Sequence, residues 1–213
     1  MSKSGIQIII FFIIAGILYL LYKLIFDGTS RFTSNVFNKE FKVRGETSEI
    51  KQIKSNLLGD VYNRLETLVS TLRNDTSLQT DIAVQRLITN WNKGIIIKET
   101  GNMESDAAYV INKQYMSICL VNFCDSTKCS NINSLENLNL LAYVGIHELA
   151  HIMSEEIGHS SEFRTNFRFL LNYAKNINYY DQILKKTIKL YIDLNDLPTP
   201  DNFCGVSVVN TIS

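Results

Sequence analysis

The sequence predicts an α+β fold, with a small sheet, a central motif helix and flanking helices, behind a single N-terminal transmembrane helix. Three observations predict it. All three histidines fall within thirteen residues, His147-Glu148-Leu149-Ala150-His151 and then His159, on a stretch with helical patterning. Short apolar runs at 95–99, 107–112 and 117–121 read as strands between helical stretches. Residues 5–22, GIQIIIFFIIAGILYLLY, carry no charge.

As a helix, that N-terminal run is long enough to span a bilayer core of about 30 Å, and Leu24-Ile25-Phe26 extends it past Lys23. A cleaved signal peptide is the rival reading, but the apolar region exceeds the usual ~7–15 residues and no A-x-A-like site follows. Lys3 is the only side-chain cation before the span, whereas Lys23, Arg31, Lys39, Lys42 and Arg44 follow it. That asymmetry places the rest of the chain on the cytosolic side of a single-pass membrane protein. Segment 1–26 is therefore expected as an anchor that meets the lipid bilayer through 5–26. Residues 27–46 follow as a polar juxtamembrane linker, where Lys39, Lys42 and Arg44 form a solvated face or touch anionic headgroups.

Residues 47–78 form a helical segment. Ile50, Ile53, Leu57, Val61, Leu65, Leu68 and Leu72 recur at three- and four-residue spacing, which gives an amphipathic helix over 47–73. The remaining 79–213 form one further domain. Asp81 caps a helix through Trp91 that Asn92-Lys93-Gly94 ends, and Gly101-Asn102 marks a turn within the strands. Asn133 or Ser134 caps the motif helix over 135–153. Ser160 or Ser161 caps a last helix through Ala174, with Phe163, Phe167, Leu170 and Leu171 as core. Pro198 and Pro200 mark a late loop.

Within 135–153, the strongly polar groups after Asn139 are His147, Glu148 and His151. Four residues apart on a helix, the two imidazoles face one way and can share one metal ion. Buried polar groups need partners, and a metal supplies one; the bland alternative is a pair of hydrogen-bonded core histidines. A catalytic zinc takes three protein ligands and keeps a position for water, with a carboxylate beside it as proton shuttle. His147 and His151 are the expected zinc ligands and Glu148 the expected general base. Ile157-Gly158 offers the helix stop that returns His159 as third ligand, with Glu162 as its rival.

At these residues the chain resembles the small zincin domains of the WLM and SprT-like group, most closely the H-E-L-A-H proteins of large DNA viruses. The similarity lies in RLITNW (86–91), IIIKE, AYVIN, SICLV and YVGIHELAHIMSEEIGHSSEF, under half of the chain. It implies a minimal zincin fold, peptidase chemistry on a protein or peptide substrate, zinc on His147, His151 and His159, and Glu148 as base. His159 stands eight residues after His151 and no Met-turn follows, unlike metzincins. Asn202-Phe203-Cys204-Gly205 resembles a Cys-Gly ending of the viral proteins, whereas 183–197 fits poorly. In a zincin the strand edging the cleft can pair with an extended peptide, and 107–112 or 117–121 are the candidates.

Cys119, Cys124, Cys129 and Cys204 match no zinc ribbon; reduced thiols are expected, although Cys124 and Cys129 bracket a polar tip where a disulfide is geometrically feasible. The sequon Asn74-Asp75-Thr76 matters only in a lumenal domain. The 187 residues after Phe26 carry a net charge of −2, no electrostatic footprint for nucleic acid. Tyr173, Tyr179, Tyr180 and Tyr191 lie downstream of the motif as candidates to stabilise an oxyanion, each with packing as its default role. The expected function is a membrane-anchored zinc metallopeptidase. The alternatives are a catalytically silent zinc-binding membrane or virion component and a zinc hydrolase of non-peptide bonds. Oligomeric state is left open.

Overall fold

The computed structural model describes residues 3–26, 28–101, 107–124, 128–129, 132, 134–197, 202–204 and 206–207. Five strands form one mixed sheet: β1 (Ser30–Thr33), β2 (Glu40–Val43), β3 (Ile96–Glu99), β4 (Ala108–Ile111) and β5 (Tyr115–Ile118). Their spatial order is β1-β2-β3-β5-β4. β3 runs parallel to both β2 and β5, whereas β1 and β4 pair antiparallel with their neighbours. The helices α2 (Ser48–Asn74), α3 (Ile82–Asn92) and α4 (Leu135–Met153) join this sheet around one core, and α5 (Ser161–Ala174) packs on α4. Phe41, Val43, Ile97, Met116 and Ile118 supply the sheet's side of that core. Two small hairpins follow, β6 (Asn178–Asp181) with β7 (Lys186–Lys189), and β8 (Asn202–Phe203) with β9 (Val206–Ser207).

Helix boundaries follow their caps. Asp81, Ser134 and Ser160 each accept a hydrogen bond from the third residue onward, as the sequence predicts for N-caps, and Thr47 caps α2 in the same way. Asn133, Asn102, Pro198, Pro200 and Gly205 lie outside the described residues. The apolar stripe of α2 is buried except for Ile53, which is half-buried. α4 crosses α2 closely at Gly145, where an added Cβ would stand 2.9 Å from Val61 Cγ1. A larger residue there would push away the helix that carries the histidines.

The membrane assignment is corrected. Among the described residues no helix is long and apolar enough to cross a membrane. α1 (Lys3–Phe26) is helical, with side chains described over 8–19. The single-pass anchor, its lipid contact through 5–26 and the cytosolic placement derived from it are withdrawn.

The linker expected at 27–46 is instead the β1–β2 hairpin. Its polarity reflects one exposed face: Phe41 and Val43 point into the core while Glu40 and Lys42 stay in solvent. Its cations also have structural partners. Lys39 Nζ lies 3.1 Å from the centroid of the Tyr62 ring, and Arg44 pairs with the buried Glu99, which also takes Lys54. The expected reduced thiols are replaced by two disulfides, Cys119–Cys204 and Cys124–Cys129. The first ties the β8 segment to the end of β5 across 85 residues of chain, a separation that sequence spacing does not reveal.

Candidate metal centre

α4 carries His147 and His151 one turn apart, and the turn that follows returns His159 beside them. The ring centroids lie 5.1 Å apart for His147 and His151, 4.9 Å for His147 and His159, and 5.1 Å for His151 and His159. Nitrogens of all three lie within 4.8 Å of one another. His147 Nε2 and His159 Nε2 approach to 3.0 Å, close to the ~3.3 Å between two nitrogens bound at 2.0–2.1 Å to one tetrahedral ion. The side chain of Phe163, 1% exposed, forms the floor, with ring centroids 4.9, 4.2 and 4.7 Å from His147, His151 and His159. A residue read from sequence as plain core thus holds all three imidazoles against an apolar surface.

Electrostatics suit a cation. Burial, reinforced by the neighbouring imidazoles, pushes His147 down to about 3. Burial, with His159 and Lys113 nearby, pushes His151 down to about 4. Both are therefore neutral at pH 7, the form that ligates metal. Glu148 is 2% exposed, and burial pushes its carboxyl up to about 8. Its Oε2 is the only buried carboxylate oxygen without a hydrogen-bond partner among the described residues. A deeply buried acceptor without a donor is costly. Three converging imidazole nitrogens beside that carboxyl fit a zinc ion, with a coordination position left for water.

Glu162, the rival ligand, is committed elsewhere. Its Oε2 accepts from the backbone N–H groups of Glu155 and Glu156 at 2.9 and 3.1 Å, and its Oε1 accepts from Arg86 at 2.8 Å. Burial works to raise its carboxyl, but these donors hold it below the usual range.

The helix ends at Met153, as the sequence predicts, with the Ser154 N–H bonding Ala150 O; Gly158, expected as the stop, instead sits four residues past Ser154, at φ +79°, inside the loop. The reason is tertiary. The last carbonyls of α4 are taken by side chains from other elements: His151 and Ser154 by Lys113 Nζ, Ile152 by Asn90, and Met153 by Arg86. Asn166 of α5 donates to Ser154 Oγ at 2.9 Å. Sequence reasoning missed Lys113, which carries no local signal for this role, and assigned none to Arg86 or Asn90 within RLITNW.

The tyrosines are placed unevenly. Tyr173 donates to Asp75 and Tyr179 to Asp60, so both phenols are engaged away from the histidines. Tyr191 is buried against Tyr143, and Tyr180 is half exposed on β6. Neither has a described contact with the triad. Of the two strands named as cleft edges, β4 is the sheet's outer strand and packs against α4, whereas β5 is internal.

Fold and site together define an α+β protein with a three-histidine candidate metal centre built on its central helix and the loop that follows it. No protein-family model matches the chain, and no solved structure matches it. The chain is similar to the uncharacterized protein 136R of Invertebrate iridescent virus 6, 27% identical over 187 residues that cover 86% of this chain and 96% of that one. It is also similar to the uncharacterized protein 042R of Invertebrate iridescent virus 3, 33% identical over 92 residues, 43% of this chain and 53% of the relative. The uncharacterized protein R325 of Acanthamoeba polyphaga mimivirus is 23% identical over 180 residues, 84% of this chain and 87% of that protein.

Proposed function

We propose that this chain is a zinc-dependent metallopeptidase, and that it is a viral protein, as its similarity to three viral proteins supports. The observation that carries the enzymatic reading is the conjunction of three histidine nitrogens within 4.8 Å and the buried Glu148, whose Oε2 has no partner among the described residues, on the helix that carries two of them. A purely structural zinc site closes with a fourth protein ligand and has no use for a base.

His147, His151 and His159 would hold the ion. Zinc bound there supplies Lewis acidity, lowering the pKa of a water toward about 7 and polarising the scissile carbonyl. Glu148 accepts the water's proton at a carboxylate oxygen. Glu148 then hands that proton to the leaving amine. β4 offers the outer edge of the sheet for pairing with an extended substrate backbone.

The test is zinc stoichiometry of the full chain by elemental analysis, with cleavage of an unfolded protein followed in parallel. One zinc per chain is expected, with cleavage lost at least 100-fold in Glu148→Gln while zinc is retained. Tight zinc without cleavage would point to the silent zinc-binding protein. Well-folded protein that takes up no zinc would reduce the motif to a cluster of core histidines.

A further inference from the structure

The loop that delivers His159 has little to hold it by burial. Glu155, Glu156, Ile157, Gly158 and His159 are all exposed, Ile157 at 96%. A five-residue exposed loop samples many conformations, and a metal ligand on it would lose that freedom on binding. Yet both ends of the loop are tied at one point. Arg86 Nη1 donates to Met153 O at 2.9 Å and to Glu162 Oε1 at 2.8 Å, joining the last turn of α4 to the first turn of α5. The other oxygen of Glu162 accepts from the N–H groups of Glu155 and Glu156, folding the start of the loop back onto α5. Arg86 Nη2 also reaches Glu155 Oε2 at 3.1 Å, but Glu155 is largely solvated and that pair contributes little. The Arg86 side chain is 24% exposed, so its charge-assisted bonds to Glu162 and Met153 are partly shielded from water.

We propose that Arg86, acting through Glu162, is the positioning residue that presets the third ligand, making His159 part of a formed site before metal arrives. The inference rests on the zinc reading above. Lys113 and Asn90 bond the carbonyls of His151, Ser154 and Ile152 at the same helix end, whereas among the described residues Arg86 alone joins that end to Glu162, whose other oxygen holds the loop N–H groups, so the role belongs to the Arg86–Glu162 pair.

The experiment is a competition titration with a chromophoric zinc chelator on the full chain, comparing wild type, Arg86→Ala, His159→Ala and the double variant, with thermal melts of the metal-free proteins alongside. Arg86→Ala should weaken zinc 10- to 100-fold, the range for partners that orient metal ligands. The double variant should be no more than about twofold weaker than His159→Ala, because residues acting through one element are not additive. A purely structural cap would lower the melting temperature yet leave zinc affinity alone, or its effect would multiply with that of His159→Ala; either result overturns the proposal. If Arg86→Ala does not fold, Glu162→Gln is read in its place: several-fold weaker zinc, non-additive with His159→Ala, supports the proposal and unchanged affinity overturns it. Wild type that binds no zinc overturns the zinc reading itself, whereas wild type that binds tightly with Arg86→Ala unaltered overturns this inference alone.

Discussion

The charges buried between α2 and the β6–β7 hairpin and those on the C-terminal half of α4 meet the same physical problem in different ways. In the first region every group has a partner. Arg64 donates through Nε to Asp60 at 2.6 Å, through Nη1 to Leu190 O at 2.8 Å and through Nη2 to Asp181. Tyr179 donates to the other oxygen of Asp60 while its ring lies under the guanidinium, and Asp181 also accepts from the N–H groups of Ile183 and Leu184. Burial pushes Asp60 up against the pull of Arg64, yet the cluster closes on itself. In the second region Glu148 has an oxygen with no donor and three imidazoles converge on one space. Closed networks of this kind are architecture, while a buried open one is left for something that arrives later.

Breaking the closed network should produce the largest loss of stability. Arg64→Met strands two buried aspartates and is expected to cost about 3–5 kcal/mol, read by urea denaturation of metal-free protein. A loss under 1 kcal/mol would mean that this cluster is no better satisfied than the one on α4.

The open region should instead reveal itself through pH. In metal-free protein the Glu148 carboxyl titrates near 8 when folded against about 4.5 when free, so the unfolded chain gives up its proton first. Stability contributed by this group therefore falls as pH rises from about 4.5 to about 8. His147 and His151, held near 3 and 4 against 6.5 when free, act oppositely: below about 6.5 the unfolded chain binds protons that the folded one refuses, and stability falls on acidification. Their opposed slopes place the optimum near pH 6.5, with a decline of about 2 kcal/mol between pH 6.5 and 8. Glu148→Gln should flatten that alkaline arm in melts of metal-free protein; an unchanged arm would assign it to another group.

A smaller effect sharpens the contrast on α4 itself. Asn139, 2% exposed, donates to Ile192 O at 2.9 Å and accepts from Ile192 N at 2.8 Å. Asn139→Ala should cost about 2 kcal/mol and leave zinc affinity unchanged, since the partners it strands lie at the other end of the helix. Weakened zinc in this variant would show that docking of the 190s segment reaches the histidines.

Local signals made much of this legible. The limits of α4, the caps at Asp81, Ser134 and Ser160, and the strands β3 and β4 follow from side-chain period and from hydroxyl or carboxylate groups placed before apolar runs, whereas β5 (Tyr115–Ile118) shares only residues 117 and 118 with the run expected at 117–121. The first hairpin was illegible because four-residue strands with charged outer faces read as connector. Arg64 and Lys54 are illegible as core because a charge on a helix normally signals solvent, and only partners far away in the chain, Asp181 and Glu99, permit their burial.

By itself the sequence determined which residues are able to hold a metal, because histidines four apart on an apolar helix share a face whatever surrounds them. Tertiary structure decided how far His159 travels and that Glu162 is not its rival. Both depend on where α3 places Arg86, sixty-seven residues from the carbonyl it caps, and no local pattern encodes a contact made at that separation.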